Sequence, residues 1–368
     1  MDTYLSALIE QTRVSDCEQQ RQSALALGRS ELSARQPEAI QALCELLGSE
    51  HLAVREAAEN ALITIGGRAV VAALIPHLKS ASTTVLNYAV EILSKIGQAG
   101  IDLLTPLLDS KHHDVRKFGC DILGNLRHGD CVYDLIDLLN DPHINVAIAA
   151  GEALGKLGNA EAVPPLIRTL QHPDTWMKCI AVEALGKIGD PCAVDALMAI
   201  PREEDPIVLY TVLKALGNLP DPRVLPYVIA VLQENPRFAA SALQVLENLA
   251  VQQGDDVYVQ LHAAGVARSF VQLLTNEHLD VLHSAIRIVA KLRLQEAMPP
   301  LQQVLRHKDA EIAAAALAAL AQIADPAVVA PIVRQILAET TDAERQALFQ
   351  QALHGLKELK IVLRLRSG

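Results

Sequence analysis

The sequence predicts an all-α fold, a right-handed α–α superhelix of about eleven stacked helical hairpins. The first observation is a repetition: EALGKLG at Glu152–Gly158 returns as EALGKIG at Glu183–Gly189, 31 residues later. The second is composition, because the chain is 51% hydrophobic but only 3% aromatic, and a core of Leu, Ile, Val and Ala suits close-packed helices. The third is an apolar pattern of helical period in every repeat.

The repetition continues along most of the chain with a spacing of 30 or 31 residues. Equivalent repeat ends fall at Gly66, Gly97, Arg127, Gly158, Gly189, Pro220 and Ala250. Each unit holds two apolar helical patterns joined by a polar turn, as in Val163–Leu170 and Trp176–Ile188 around QHPD, which predicts a helical hairpin. Asp can cap a helix and Pro needs no amide donor at its start, which predicts first helices beginning at Asp190-Pro191, Asp221-Pro222 and Asp325-Pro326.

Two short motifs recur at fixed places in these units. A Val-Arg pair appears at Val54-Arg55 and Val115-Arg116. The second motif, ALGKIGD, runs from Ala184 to Asp190, where one unit ends and the next begins. With these motifs the unit resembles the HEAT repeat, and more narrowly the short variety of phycobilin lyase subunits, from about Pro37 to Ala338. The resemblance implies an α-solenoid whose second helices line a concave surface. It also implies two functions, a protein-binding scaffold or a subunit that acts on a chromophore-bearing protein.

One interval departs from the period. Ala250 and Arg293 are 43 residues apart, and the extra piece is VQQGDDVYVQLHAAG. With its surroundings this stretch resembles an armadillo repeat, whose third helix gives a unit of about this length. The sequence leaves two alternatives open, a third helix here or a loop over Gln252–Asp256.

The chain ends are expected to cap the array, because repeat proteins need polar terminal units. Helical patterns occur at Tyr4–Gln11 and Cys17–Leu27, and a final amphipathic helix is predicted over Asp342–Leu365, ending in a basic stretch. The predicted organisation is an N-terminal helical cap at 1–36, regular HEAT-like repeats at 37–250, a longer armadillo-like repeat at 251–293, HEAT-like repeats at 294–338 and a C-terminal helical cap at 339–368.

Composition and charge exclude several classes of partner. A formal net charge of −11 argues against a broad nucleic-acid or anionic-membrane surface, since such surfaces rely on Lys and Arg. No apolar run approaches the roughly 18 residues of a membrane span, and the N-terminus lacks the form of a signal peptide. We therefore expect a soluble, cytoplasmic protein with no membrane partner. The six cysteines form no C-x-x-C pair and are interpreted as reduced and structural.

Catalytic motifs are absent from the sequence. It contains no G-x-S-x-G, no G-K-[ST] loop and no H-E-x-x-H. Among families with similar repeats, deoxyhypusine hydroxylase holds iron through His-Glu pairs, and this sequence has no His-Glu dipeptide. HEAT-like alkylpurine DNA glycosylases use a basic concave face, whereas the corresponding face of this chain carries a row of acidic residues from Glu91 to Glu183 over half of the array. We predict a non-catalytic protein without cofactor or metal.

Histidines recur at the turns between the helices of a hairpin. They occupy two turn positions, at His51, His112, His143, His278, His172 and His307. Stacked repeats lie roughly 10 Å apart, too far for histidines of neighbouring turns to share one zinc ion. These side chains are expected to be structural or solvated, and His112-His113 with Asp114 is the local cluster to test by metal titration.

The side of each second helix opposite the buried stripe should be the binding face. Val54, Ala58 and Leu62 mark the buried stripe at 100° per residue. Opposite it, an acidic row of Glu91, Asp121, Glu152 and Glu183 gives way to Lys214 and Arg287. Charge can guide a basic segment of a partner, but Glu–Lys pairs at i,i+4, such as Glu91–Lys95, Glu152–Lys156 and Glu183–Lys187, also simply stabilise helices.

The middle of the same face turns apolar. Glycines at 124, 155, 186 and 217 predict a shallow floor beside Ile148, Cys179 and Tyr210 that could accept a helix or extended peptide. Trp176 and Ile207 occupy a partly exposed helix-start position, although aromatic side chains here could instead fill gaps between units. The predicted partner-binding set on this concave face is Ile148, Trp176, Cys179, Glu183, Ile207, Tyr210, Lys214, Glu91, Asp121 and Glu152.

Overall fold

The computed structural model describes residues 3–30, 36–202, 205–339, 346, 347, 349 and 350. Within these ranges the regular structure is helical, α with short 3₁₀ segments, and no residue is in a strand. The all-α prediction is confirmed. The chain divides into two compact units, unit 1 up to Ala196 and unit 2 from Leu197.

Unit 1 is a series of helical hairpins in which short first helices alternate with longer second helices. The first helices are α1 (Thr3–Gln11), α3 (Pro37–Leu46), α5 (Gly67–Leu74), α7 (Ile101–Leu104), α9 (Val132–Leu138) and α11 (Val163–Thr169), and α13 (Val194–Met198) contains the division between the units. The second helices are α2 (Cys17–Arg29), α4 (Leu52–Ile65), α6 (Thr83–Ile96), α8 (His113–Leu126), α10 (Ile144–Leu157) and α12 (Thr175–Ile188).

Local sequence explains why the first helices are short. Pro76 and Pro106 lack an amide donor, and the chain continues from α5 and α7 as 3₁₀ helix at Ile75–Lys79 and Thr105–Asp109. The predicted Asp caps form at Asp190 and Asp325, whose carboxylates accept from the amides two residues later at 2.8 and 2.6 Å. Asp221 accepts from the Arg223 amide at 2.8 Å, but the next helix begins only at Val224, two residues after the predicted start at Pro222. The boundaries of the hairpins therefore follow directly from Pro and Asp.

The Val-Arg motif holds the turn within a hairpin. Arg55 and Arg116 each donate a guanidinium hydrogen bond of 2.7 Å to the carbonyl oxygen of the serine six residues earlier. Arg116 also forms a paired ion bridge to Asp141 in the next turn, at 2.7 and 2.9 Å. The motif thus joins a helix to its own turn and, at Arg116, to the neighbouring repeat.

Several second helices end in a residue with left-handed backbone conformation, and these residues stand at the predicted repeat ends. Gly158 and Gly189 have φ of 71° and 77°. Arg127 stands at the equivalent place with φ of 52°, in a region where a side chain is strained. The buried stripe also follows the prediction: Val54, Ala58 and Leu62 are at most 1% exposed.

Unit 2 begins within α13, at Leu197, and contains the irregular interval. Its helices are α14 (Pro206–Leu216), α15 (Val224–Glu234), α16 (Ala239–Gln253), α17 (Asp256–Ala263), α18 (Ala267–Leu273), α19 (Leu279–Lys291), α20 (Met298–Val304), α21 (Ala310–Ile323) and α22 (Pro326–Glu339). The extra residues form α17 after a turn at Gly254, so of the two alternatives the structure contains the third helix. The predicted helix over Asp342–Leu365 lies mostly outside the described residues, although Phe349 is buried and helical.

Candidate functional site

The second-helix face is the exposed side of the second helices in each unit, and in unit 1 the helices that carry it pack very closely. A Cβ added to Gly155 would lie 2.9 Å from Ala184 Cα, and one added to Gly124 would lie 2.8 Å from Ala153 Cα. Such distances are shorter than real Cβ contacts, so these glycines let adjacent second helices approach each other. The expected shallow floor at these two positions is wrong, because the neighbouring helix fills it.

Three of the four members of the acidic row are paired within the face. Lys95 Nζ contacts Glu91 at 2.8 Å and also reaches Glu59 in the preceding repeat at 2.9 Å. Asp121 pairs with Lys117 at 2.8 Å, and Glu183 pairs with Lys187 at 3.0 Å. These pairs are mostly exposed and add little stability, but they reduce the negative charge that a partner would meet.

Glu152 is the exception in the acidic row. The predicted Glu152–Lys156 pair does not form, because Lys156 Nζ donates at 2.8 Å to Asn125 Oδ1 in the preceding repeat. Within the part of unit 1 that the structure describes, the half-buried Glu152 carboxylate has no ion pair. Its charge is the one in the row that remains available to a ligand.

The predicted apolar contacts of unit 1 differ in accessibility. Trp176 is 63% exposed at the start of α12, and Ile148 is half-buried on α10. Cys179 is only 6% exposed, so its place in the predicted contact set offers little surface. Its side chain has one heavy atom beyond Cβ and is too short to extend past its neighbours.

Unit 2 presents a groove of 910 Å³ along its second-helix face, here called the unit 2 groove. It crosses α14, α16, α19 and α21, and it contains the predicted residues Tyr210 and Lys214. Tyr210 is 52% exposed, so it does not simply fill a gap. The predicted Ile207, at the start of α14, is 50% exposed but does not line the groove.

Several groove residues lie outside the predicted partner-binding set. These further lining residues include Ala240, Gln244, Leu279, Asp280, His283, Asp309, Glu311 and Ile312. The repeat register identifies one of them. Glu311 is the second residue after Asp309, which caps α21, just as Trp176 is the second residue after Asp174, which caps α12.

The charges of the unit 2 groove are only partly balanced. Arg287 forms an ion pair with Glu247 across adjacent second helices, and Asp309 is occupied in capping α21. Among the described residues, the exposed side chains of Lys214, Asp280 and Glu311 have no ion-pair partner. These three side chains can therefore interact with a ligand without first breaking an existing pair.

The turn histidines have structural contacts. His172 Nδ1 accepts from the Asp174 amide at 3.1 Å, and His307 Nδ1 accepts from the Asp309 amide at 3.0 Å. His113 and His143 stack with ring centroids 3.9 Å apart. Over the described ranges no cluster of three or more His, Cys, Asp or Glu side chains could hold a metal ion.

Burial explains the chemistry of the cysteines. Burial raises the pKa of the Cys44 and Cys120 thiols to about 12 and, less strongly, that of Cys131 to about 11. These thiols stay protonated at neutral pH and behave as small apolar groups. Cys17 and Cys192 are exposed.

No helix in the described ranges combines the length and hydropathy needed to cross a membrane. No curated protein matches the sequence. A family model described as HEAT repeats matches residues 5–94, 101–177, 132–202, 168–247 and 267–354.

Several solved structures are similar to this chain. A chain of the structure that describes Kap95p binding to RanGDP is 17% identical, with 95% of this chain and 57% of that chain covered and a TM-score of 0.65. Importin β is 16% identical over 95% and 57%, with a TM-score of 0.58. Kap121p is 15% identical over 95% and 45%, with a TM-score of 0.62. The chain thus spans about half the length of these structures, and the likeness is one of fold.

Proposed function

The chain belongs to the HEAT-repeat family, and from that premise we propose that it is a non-catalytic scaffold that binds a segment of a partner protein. The unit 2 groove is the observation that carries this proposal. Its volume of 910 Å³ is at the upper end of small-molecule sites, and its open course across four second helices suits an extended or helical peptide.

The side chains of the groove support a protein ligand. Tyr210 presents a half-exposed aromatic ring, and aromatic side chains often dominate binding energy at protein interfaces. Lys214 lies one helical turn later on the same face, without an ion pair among the described residues. An apolar anchor beside an available charge gives both affinity and direction to a bound segment.

Unit 1 offers a smaller surface of the same kind. Trp176 is the most exposed aromatic residue of a second helix, and Glu152 and Ile148 lie on the preceding second helix. We propose that this surface makes a separate contact with a protein partner. The rest of the predicted unit 1 set, Glu91, Asp121, Cys179 and Glu183, is paired or buried and contributes less.

The similar structures give limited support. Kap95p binding induces the switch loops of RanGDP to adopt the GTP-bound conformation, so one protein with this fold binds another protein. With identities of 15–17%, this likeness supports the ability of the fold to bind proteins and carries no partner to this chain.

The proposal can be tested by alanine substitution on the full chain. A partner identified by capture on the immobilised protein would be purified and titrated against wild type, Tyr210→Ala and Trp176→Ala. We expect Tyr210→Ala to weaken binding by at least tenfold without lowering the melting temperature. Tyr133→Ala is the matched control, because Tyr133 is 62% exposed on the first helix α9. Loss of stability with unchanged affinity would show instead that Tyr210 serves packing.

The competing function is a role like that of phycobilin lyase subunits, which the sequence motifs of the repeats resemble. Incubating the full chain with a bilin and an apo-phycobiliprotein would separate the two functions. A bilin adduct formed only when this chain is present would overturn the scaffold proposal. Unchanged pigment and apoprotein would support it.

A further inference from the structure

We propose that the unit 2 groove binds the chain's own basic tail, residues 355–368, so that the groove is occupied in cis until a partner displaces the tail. The groove and the tail belong to the same unit. Binding of the tail in the groove does not depend on the existence of an external partner.

The groove carries an excess of negative charge at one side. Two basic and four acidic side chains line it, and the pairing of Arg287 with Glu247 leaves the excess on Asp280, Asp309 and Glu311. All three lie at or next to the starts of α19 and α21. A ligand that places cations along this side would offset the excess.

The same groove offers apolar surface beside the acidic side. Tyr210 on α14 is 52% exposed and Leu279 on α19 is 42% exposed. Ala240, on the intervening helix α16, also lines the groove. Exposed apolar side chains in one concave surface are typical of a binding site. The groove therefore suits a segment that combines cations with apolar side chains.

The basic tail has this composition. It contains four basic side chains and one acidic side chain, at Lys357, Lys360, Arg364, Arg366 and Glu358. Leu, Ile and Val fill most of the positions between them, in the stretch LKELKIVLRLR. In a chain of net charge −11 this basic segment is complementary to most of the surface, and the groove adds apolar contacts to that attraction.

The tail is comparable in length with the groove. Arg366 follows Gln350, the last described residue, by 16 positions, and an extended chain spans about 50 Å over that number of residues. The 14 residues of α21 extend about 21 Å, and four second helices side by side measure about 30–40 Å across. The family match ends at residue 354, so the tail is not required to complete the last matched repeat.

Attachment in the same chain makes even weak binding effective. A segment tethered within the same chain has an effective concentration on the order of millimolar. A tail that binds in trans with micromolar affinity would then occupy the groove almost completely. Any partner of the groove would have to compete with it.

The test uses the full chain with a neutral tail, in which Lys357, Lys360, Arg364 and Arg366 are replaced by Gln. A fluorescent peptide of residues 355–368 would be titrated against this variant and against wild type, with anisotropy as the readout. We expect the peptide to bind the neutral-tail variant at least tenfold more tightly, because the wild-type groove is already occupied. Equal affinity for both proteins, or no binding to either, would overturn the proposal.

A second pair of variants locates the binding. Asp280→Asn with Glu311→Gln, added to the neutral-tail variant, should weaken peptide binding at least fivefold. Asp256→Asn with Glu296→Gln is the matched control, since both residues are exposed in unit 2 outside the groove, and it should leave affinity unchanged. Equal loss in both pairs would show non-specific attraction and contradict the assignment to the groove.

Light scattering then separates cis from trans binding. We expect wild type and the neutral-tail variant to have the same monomer mass at micromolar concentration. A larger mass that is lost in the neutral-tail variant would mean that the tail binds a second copy, and it would overturn the cis arrangement.

Discussion

The second-helix faces of the two units are built from the same repeat, but the face of unit 1 is closely packed and internally paired whereas the face of unit 2 contains a groove. In unit 1 glycines bring successive second helices together, and three of the four acidic residues of the row are paired on the face. In unit 2 the face opens into a groove with exposed Tyr210 and unpaired Lys214, as far as the structure describes it. The comparison suggests that strict repetition favours packing, while departures from the repeat create a surface that can bind.

The largest expected effect is the difference in thiol reactivity between exposed and buried cysteines of unit 1. All six cysteines of the chain lie in this unit. We expect an alkylating reagent at pH 8 to modify Cys17 within minutes and to modify Cys44 and Cys120 at least a thousandfold more slowly, because reaction at a buried thiol requires unfolding. Peptide mass spectrometry measures each rate. Equal rates would contradict the tight packing of unit 1.

The same cysteines give unit 1 a pH dependence. Burial raises the pKa of Cys44 and Cys120 from 9.0 in the unfolded chain to about 12. Above pH 9 the unfolded state loses these protons first, so the free energy of unfolding should fall by about 1.4 kcal/mol per pH unit for each thiol. Their stabilising contribution is complete below pH 9 and is lost toward pH 12. Cys44→Ala with Cys120→Ala should flatten this slope in denaturant titrations.

The ion pairs of the two units provide a second contrast. Asp141 is 4% exposed, and although burial acts against its charge, the hydrogen bonds from Arg116 and the His143 amide hold its pKa below the usual range. We expect Asp141→Asn to cost about 3 kcal/mol, because it leaves Arg116 poorly paired. Glu339→Gln removes an exposed partner of Arg306 in unit 2 and should cost at most about 0.5 kcal/mol.

Urea titrations of both variants test this difference. The lowered pKa also means that the Asp141 contribution is present above pH 3.8 and is lost as the pH falls through the folded value. Equal costs for the two substitutions would show that the turn of unit 1 is no more tightly built than the surface of unit 2.

Matched glycine substitutions test the packing directly. Gly155→Ala places a Cβ 2.9 Å from the backbone of Ala184 and should cost about 2 kcal/mol. Gly217→Ala in unit 2 meets the flexible Asn248 amide at 3.3 Å in a helical conformation, and should be neutral or gain up to about 1 kcal/mol. Calorimetry would compare the two, and a reversed order would reject the distinction between the faces.

The smallest effect concerns a repeat end. Arg127 and Arg293 adopt φ of 52° and 51°, one in each unit, where other repeats of unit 1 use glycine. We expect Arg127→Gly to raise stability by about 1 kcal/mol, because it removes the strain of a left-handed side chain. Arg293→Gly is the parallel change in unit 2, and thermal unfolding of both would show whether the benefit is shared. A decrease in the melting temperature would mean that the arginine side chain outweighs the strain.

Sequence periodicity was sufficient to predict the all-α fold, the hairpins and the buried stripe, because 3.6-residue spacing and Pro, Asp and Gly act locally. It also placed Trp176 and Ile207 at a partly exposed position, and they are 63% and 50% exposed. It did not report that Cys179 is only 6% exposed or that the next helix fills the floor at Gly124 and Gly155, because a pattern along one helix does not report how closely the next helix approaches. It missed Asp280 and Glu311 because a helical pattern does not report which helix starts border a groove.

Photocrosslinking from the groove tests the central claim most directly. A photoreactive benzoylphenylalanine would replace Tyr210 in the full chain and, as the matched control, Val328, which is 50% exposed on the first helix α22. After irradiation in native extract, we predict crosslinks from position 210 to a defined segment, either of one partner protein or of residues 355–368, and few from position 328. Crosslinking that is absent at position 210, or equal and diffuse at both positions, would contradict the assignment of the unit 2 groove as a binding surface.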